Sequence, residues 1–229
     1  MARVFKVNFG TGQQTVTPFN QKEADDIRLI CKQKYQQASD KIKPNSKNPH
    51  WSEKFRWDRN LLLFDLGFNT ALRIEDLLQL QVNKQVMKGY IDVHEFKSGR
   101  WKDGKYKSGK NRAFQLNKRI TAELQNFIER NSLVEGEYLF QSRNGYNMPV
   151  TRQQAYNIIQ ELANELGIIR KVGCHSLRKT FGKLYYEQTN DLAGLHQMIH
   201  NGKGDPRVTL IYIGLIQEEV SNKRKEFDI

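Results

Sequence analysis

The sequence contains only two cysteines and no long apolar run. Cys31 and Cys174 lie far apart in the chain, which fits a reducing compartment better than a disulfide framework. The run LLLF at 61–64 is followed by Asp65, so no segment is long enough to span a membrane. The N-terminal MARVFKVNFG lacks the apolar core of a signal peptide. We therefore expect a cytoplasmic protein with no membrane partner.

Acidic residues are also few, since 25 Asp and Glu stand against 37 Lys and Arg and leave a net charge of +12. This excess favours a polyanionic partner, either nucleic acid or an anionic membrane surface. The charge is concentrated in KSGRWKDGKYKSGKNR at 97–112, with seven bases, one acid, and Trp101 and Tyr106 interleaved. Such a segment suits a loop along a phosphate backbone, although a solvated hairpin is the alternative. The candidate DNA-binding residues are Arg100, Lys102, Lys105, Lys110 and Arg112.

The pattern of apolar residues predicts one mostly helical domain over residues 17–229, preceded by an N-terminal arm over residues 1–16. Alternating residues predict antiparallel strands at 89–96 and 112–116, so that the basic segment forms a long hairpin loop between them. Asn69 or Thr70 is the expected cap of the short third helix. Helices are predicted at 17–38, 56–68, 69–82, 118–131, 151–167, 175–188, 191–200 and 209–227.

Several cationic residues and one tyrosine have the chemistry that phosphoryl transfer on DNA requires. Arg73 and Arg178 could bind the non-bridging oxygens of one phosphate and stabilise the charge that grows in the transition state. A lysine of the hairpin could protonate the leaving 5′ oxygen, while His175 accepts the proton of the nucleophile. Tyr212 could attack the phosphorus.

Four motifs in this order resemble those of the tyrosine recombinases, the phage integrase family. ALRIEDLLQL resembles the box of the first arginine and gives Arg73, with Asp76 at the acidic position that braces the site. YIDVHEFKSGR resembles the strand and turn that carry the catalytic lysine. HSLRKTFG resembles the His-x-x-Arg box and gives His175 and Arg178, and VTLIYIGL resembles the nucleophile segment and gives Tyr212.

The resemblance implies an α+β fold, namely a mostly helical tyrosine-recombinase catalytic domain with a small antiparallel β-sheet. It implies a site-specific recombinase that cuts and rejoins double-stranded DNA through a 3′-phosphotyrosine at Tyr212, with no metal or other cofactor. It also implies a homotetramer on two DNA sites, with accessory DNA-bending proteins as candidate further partners. The C-terminal QEEVSNKRKEFDI is a candidate segment for docking on a neighbouring protomer.

The position of the catalytic lysine is ambiguous. Counting forward from the first strand selects Lys97 in FKSGR. Counting back from the second strand selects Lys107 in YKSGK, which repeats the same KSG motif. The loop is longer than the short turn of the family, so both lysines cannot be in register. We favour Lys97, with Lys107 as a supporting residue.

The segment before the tyrosine also departs from the family pattern, which has a His or Trp nine residues upstream of the nucleophile. Lys203 occupies that position here. If the position is instead counted forward from Arg178, it falls on Asn201, which is next to His200. We favour His200 as the catalytic hydrogen-bond donor and keep Lys203 as a supporting candidate. His196 and His200 are one helical turn apart, but no third ligand is evident, so we predict no metal site.

The resemblance begins almost at the N-terminus, where typical family members carry a separate core-binding domain. The chain is therefore similar to short DNA invertases of the family, and it is either a minimal recombinase or a fragment of a longer protein. The two departures keep open an alternative function, a catalytically inactive DNA-binding protein of the same fold. A type IB topoisomerase would share the chemistry without joining two sites.

Overall fold

The computed structural model describes residues 16–41, 47–48, 50–94, 100–102, 105–107 and 111–215. Only the backbone is described for the strand residues His94, Arg100–Lys102, Lys105–Lys107 and Asn111. The helices in these ranges are α1 (Gln21–Gln37), α2 (Glu53–Asn69), α3 (Ile74–Leu78), α4 (Lys118–Arg130), α5 (Arg152–Glu165), α6 (Cys174–Thr189), α7 (Leu192–His200) and α8 (Arg207–Ile213). None of the described helices is long and apolar enough to cross a membrane.

The strands form two short antiparallel pairs. β1 (Tyr90–His94) pairs with β4 (Asn111–Gln115), so that Tyr90 lies opposite Gln115. β2 (Arg100–Lys102) pairs with β3 (Lys105–Lys107). The expected α+β fold, mostly helical with a small antiparallel sheet, is therefore confirmed.

The segment 97–112 connects β1 to β4, as the predicted long hairpin loop requires, and β2 and β3 form a second hairpin within it. In their register Trp101 is opposite Tyr106. Aromatic residues favour extended backbone, and the ladder of backbone hydrogen bonds needs no apolar alternation to form.

The prediction of one helix over 69–82 was wrong. α2 continues to Asn69, and Thr70 ends it with extended backbone at φ −131° and ψ 149°. α3 begins only at Ile74, and Arg73 rather than Asn69 or Thr70 is its N-cap residue. A β-branched residue favours extended backbone, so Thr70 separates the two helices. Arg73 thereby lies at a bend of the chain.

The last described helix is shorter than predicted. α8 ends at Ile213, where Gly214 adopts a left-handed φ of 86°, so the helix predicted over 209–227 is interrupted. Glycine is the residue that most readily adopts this conformation. Most of the predicted N-terminal arm and the whole C-terminal QEEVSNKRKEFDI lie outside the described residues.

The main core surrounds α2, whose residues 57–68 are all buried. α1 and α6 pack against α2, and a Cβ on Gly67 would lie 2.9 Å from Leu177 Cδ1 of α6. A second, smaller cluster joins the end of α2 to α7 and α8, and its buried members are Ala71, Leu195, Ile199 and Ile213. Tyr212 packs against this second cluster, which therefore sets the position of α8 relative to the rest of the domain.

Candidate active site

Arg73 and Asp76 form the first part of the site, at the start of α3. The Arg73 backbone is extended, with φ −73° and ψ 153°, and its Nη1 lies 4.0 Å from Asp76 Oδ2. The Asp76 side chain is 1% exposed, whereas that of Arg73 is 26% exposed. A buried carboxylate behind a partly exposed guanidinium orients the positive charge towards the surface, where a phosphate could reach it.

His175 and Arg178 occupy the first turns of α6. Arg178 is buried, and its Nη2 donates a hydrogen bond of 2.5 Å to the carbonyl oxygen of Ile199. Since Ile199 immediately precedes His200, this bond ties Arg178 to the end of α7. His175 is half-buried one turn earlier and lines a surface cavity of about 470 Å³ together with Arg152.

Close packing brings α6 next to α7 and α8. Gly182 makes this possible, because a Cβ there would lie 2.6 Å from Ile213 Cγ2 and 2.9 Å from Ile199 Cδ1. Neither distance is available to a real Cβ unless these neighbouring side chains shift. Arg178 therefore lies within reach of groups on both neighbouring helices.

His200 and Tyr212 meet at the ends of α7 and α8. Their ring centroids are 5.8 Å apart with an interplanar angle of 79°, an edge-to-face arrangement. His196, one turn before His200, forms a 2.8 Å hydrogen bond through Nδ1 with Thr209 Oγ1. Thr209 precedes Tyr212 by one turn of α8, so this bond fixes which face of α8 is turned towards His200.

The electrostatic environment connects these residues into one site. Burial lowers the pKa of His200, and the positive charges near it, including those of Arg178 and Arg73, lower it further. Burial raises the pKa of Tyr212, while the charges of Arg178 and Arg73 act in the opposite direction. Both guanidiniums therefore lie close enough to act on the imidazole and on the phenol, although they come from distant parts of the sequence.

Two consequences follow for the protonation states at neutral pH. The lowered pKa of His200 favours the neutral form of its imidazole, and its buried Nε2 has no hydrogen-bond partner among the described residues. The Tyr212 phenol is protonated. The site therefore holds a protonated phenol next to an imidazole nitrogen that can hydrogen-bond a ligand.

The two candidates near the turn after α7 are placed differently. His200 is partly buried against Tyr212, whereas Lys203 is exposed and its backbone N–H donates to the His200 carbonyl oxygen at 3.2 Å. The geometry brings His200 into edge-to-face contact with the tyrosine ring. Asn201 adopts a left-handed φ of 55° between them and ends α7.

Arg112, predicted from charge to bind DNA, has contacts within the protein. Its guanidinium donates to the Ala71 carbonyl oxygen at 3.2 Å and to Asn201 Oδ1 at 2.9 Å. It therefore joins the sheet to the segment before Arg73 and to the residue after His200. Sequence reasoning missed this role, because nothing in the local pattern distinguishes Arg112 from the other bases of its segment.

The remaining predicted bases lie in parts of the chain for which no side chains are described. Lys97 and Lys110 lie outside the described residues. Arg100, Lys102, Lys105 and Lys107 are in β2 and β3, where only the backbone is described. The choice between Lys97 and Lys107 therefore stays a prediction.

Sequence reasoning assigned no role to two further residues near Tyr212. Thr209 is fully buried and holds His196, and Lys179 is buried beneath the Tyr212 ring. The only available signal for Lys179 was its position next to Arg178. Across the described ranges, no group of three or more His, Cys, Asp and Glu side chains could hold a metal ion.

Comparison with protein families and curated proteins gives consistent matches. The model of the phage integrase family matches residues 47–214. The probable integrase/recombinase YoeC of Bacillus subtilis (strain 168) is 32% identical over 169 residues, which are 74% of this chain and 84% of that protein. The tyrosine recombinase XerD of Listeria innocua is 23% identical over 176 residues. That match covers 74% of this chain and 54% of XerD, so this chain spans about half the length of that relative.

Solved structures have the same fold. The XerA recombinase superposes with a TM-score of 0.61 at 18% identity, covering 93% of this chain and 67% of that one. The XerH site-specific recombinase, in a post-cleavage complex with palindromic difH substrate, superposes with a TM-score of 0.59 at 21% identity. The XerH match covers 95% of this chain and 55% of that one.

Proposed function

This chain belongs to the phage integrase family, and we propose that it is a site-specific DNA recombinase whose nucleophile is Tyr212. The observation that carries the proposal is the convergence of Arg73, Arg178, His200 and Tyr212. These residues come from α3, α6, α7 and α8, and both arginines act electrostatically on the histidine and on the tyrosine. Such an arrangement suits a phosphodiester held by two guanidiniums next to a phenol.

In the proposed reaction the Tyr212 oxygen attacks the phosphorus of one DNA strand. A bond forms between this oxygen and the phosphorus, and the bond to the 5′ oxygen breaks, which leaves a 3′-phosphotyrosine. His175 accepts the phenolic proton, and Lys97, or alternatively Lys107, protonates the departing 5′ oxygen. The reverse reaction with a different 5′ hydroxyl joins the strands, and the covalent link conserves the energy of the phosphodiester, so no cofactor is required.

The cationic groups supply transition-state stabilisation in this mechanism. Arg73 and Arg178 bind the two non-bridging oxygens, on which negative charge grows, and His200 donates a further hydrogen bond through Nε2. Asp76 keeps the Arg73 guanidinium in place. Because burial raises the pKa of Tyr212, the phenol stays protonated until a phosphate and a base are present.

The proposed substrate is double-stranded DNA, with the bases of the 97–112 segment along its backbone. Structural relatives of this fold include XerH bound to difH and a lambda integrase dimer bound to a COC′ core site. We extend the proposal to a homotetramer on two DNA sites, to accessory DNA-bending proteins as partners and to a cytoplasmic location. Residues 17–229 constitute the proposed catalytic domain, and residues 1–16 the proposed arm.

Covalent capture tests this function and identifies the DNA site in the same experiment. The protein is incubated with fragmented DNA of the host and of mobile elements, denatured, and recovered under conditions that retain only covalently attached DNA, which is sequenced. Tyr212→Phe removes only the nucleophilic oxygen. Tyr186→Phe is the matched control, because Tyr186 also packs against the second hydrophobic cluster.

We expect discrete sequences to be attached to the native protein and to Y186F, and none to Y212F. If the native protein shifts DNA in gels but retains none covalently, with or without a DNA-bending protein added, the proposal fails. The alternative function, a DNA-binding protein of the same fold without cleavage activity, would then hold.

A further inference from the structure

Lys179 is a buried base in direct contact with the proposed nucleophile. It follows Arg178 on α6 and is 8% exposed. Its Nζ lies 5.2 Å from the centroid of the Tyr212 ring, over the ring face. Within the described ranges no carboxylate forms an ion pair with Lys179, so its charge is not neutralised by a neighbouring acid.

The segment of residues 16–20, which we call the strap, holds this ammonium in place. Lys179 Nζ donates a hydrogen bond of 2.8 Å to the carbonyl oxygen of Val16. The strap has its own attachments, since the Thr17 N–H donates to the Lys171 carbonyl at 2.9 Å and the Phe19 N–H donates to Thr180 Oγ1 at 2.8 Å. The side chain of Phe19 is fully buried. The acceptor of Lys179 is therefore fixed independently of Lys179 itself.

The Tyr212 ring thus has a positive charge against its face and the edge-to-face contact with His200. A cation over an aromatic face is attracted by the electron density of the ring. This density increases when the phenol loses its proton, so the attraction is stronger for the phenolate than for the phenol. A buried site strengthens the effect, because water does not screen it.

We propose that Lys179 is a positioning residue for Tyr212, which holds the ring and favours its phenolate form through the ammonium that the strap carbonyl anchors. The proposal rests on the proposed role of Tyr212 as the nucleophile. The strap, which precedes α1, thereby helps to hold the proposed active site in place. Burial also lowers the pKa of Lys179 and so acts against its charged form, whereas the hydrogen bond to the Val16 carbonyl oxygen requires Lys179 as a donor.

A purely structural role is the competing explanation, in which Lys179 only joins the strap to α6. The two explanations differ in their effect on the titration of Tyr212. A lysine that serves only as a link changes thermal stability when it is removed, but it leaves the protonation equilibrium of the phenol unchanged. The experiment must therefore measure that equilibrium directly.

The protein is labelled with ¹³Cζ-tyrosine, and the resonance of Tyr212 is assigned by its loss in Y212F. The resonance is then followed against pH in the native protein, Lys179→Met, Lys179→Arg and Lys183→Met. Lys183 is the matched control because it lies one turn later on α6 and pairs with Glu187 at 3.7 Å. This titration needs no DNA, so its outcome is independent of whether the protein cleaves DNA.

We expect a higher pKa of Tyr212 in K179M and, at a given pH below it, a phenolate fraction about tenfold lower than in the native protein. K179R should restore the native titration, and K183M should not change it. If K179M does not fold, Lys179→Gln removes the charge and keeps a donor for the Val16 carbonyl, and it should give the same change. An unchanged Tyr212 titration in a folded K179M or K179Q would overturn the proposal.

Captured DNA fragments give a second readout. The pH profile of covalent adduct formation should move to higher pH in K179M and return in K179R. An unmoved profile in K179M contradicts the proposal. Absence of adducts in every variant, the native protein included, would contradict the proposed function and leave the titration to decide the role of Lys179.

Discussion

The Arg112 guanidinium donates a hydrogen bond of 2.9 Å to the side-chain oxygen of Asn201. A second bond, of 3.2 Å, reaches the carbonyl oxygen of Ala71. Asn201 follows His200 directly, and Ala71 lies two residues before Arg73. One arginine of β4 therefore joins the two segments that carry the proposed catalytic groups, and the geometry of the site depends on the sheet.

The first prediction concerns Arg112→Met, which removes both hydrogen bonds and leaves their acceptors without this donor. We expect the free energy of unfolding in urea to fall by about 1–3 kcal/mol, because partly buried acceptors lose a charged donor. Covalent adduct formation should slow as well, since Arg73 and His200 lose their common support. Both quantities are measured on the same preparation.

The salt dependence of DNA binding distinguishes the structural role of Arg112 from the DNA contact that was predicted from its charge. A phosphate contact contributes to the slope of log K against log [salt], so its loss reduces that slope by about 1. We expect that reduction for Lys105→Met, a matched loss of charge in the same segment, and not for R112M. A reduced slope with unchanged stability in R112M would make Arg112 a phosphate contact instead.

The second prediction separates His200 from Lys203. His200→Ala removes the imidazole that contacts the Tyr212 ring, so we expect adduct formation to slow by about 10²–10³-fold, as for loss of one transition-state hydrogen bond. Lys203→Ala should remain within about threefold of the native rate, because the Lys203 side chain is exposed. Single-turnover rates on captured DNA fragments measure both. The reverse ranking would assign the proposed catalytic hydrogen bond to Lys203.

The third prediction concerns pH and stability. Burial lowers the pKa of His200 in the folded protein from its ordinary value of 6.5. The unfolded chain therefore takes up a proton at His200 at a higher pH than the folded protein does. The contribution of neutral His200 to the free energy of unfolding is largest above pH 6.5 and is lost as the pH falls below that value. The free energy of unfolding in urea, measured between about pH 5 and pH 8, should decrease on acidification.

His200→Asn provides the comparison for this pH dependence, because asparagine does not titrate and keeps a polar side chain at this position. The decrease between neutral and mildly acidic pH should be smaller in H200N than in the native protein. Equal slopes in the two proteins would show that the folded environment does not disfavour the charged form of His200.

Local signals account for most of the helices. Asn20 and Glu23 form a capping box at the start of α1, and Thr151 and Gln154 form one at the start of α5, as their residue types indicate. The paired strands β1 and β4 likewise follow from alternating side chains. Thr70, by contrast, ends α2 with extended backbone where the sequence predicted the cap of a single helix over 69–82.

By itself the sequence determined the family motifs, the mostly helical fold and the residue types that the proposed phosphoryl transfer uses, because these are read from short stretches of the chain. Only the tertiary structure decided that Arg112 bridges Ala71 and Asn201, and that Lys179 lies beneath Tyr212. It also decided that Gly182 admits Ile213 at close range. The physical reason is that burial and hydrogen bonding of such groups depend on partners 31 to 163 residues away in the chain, whose proximity only packing creates.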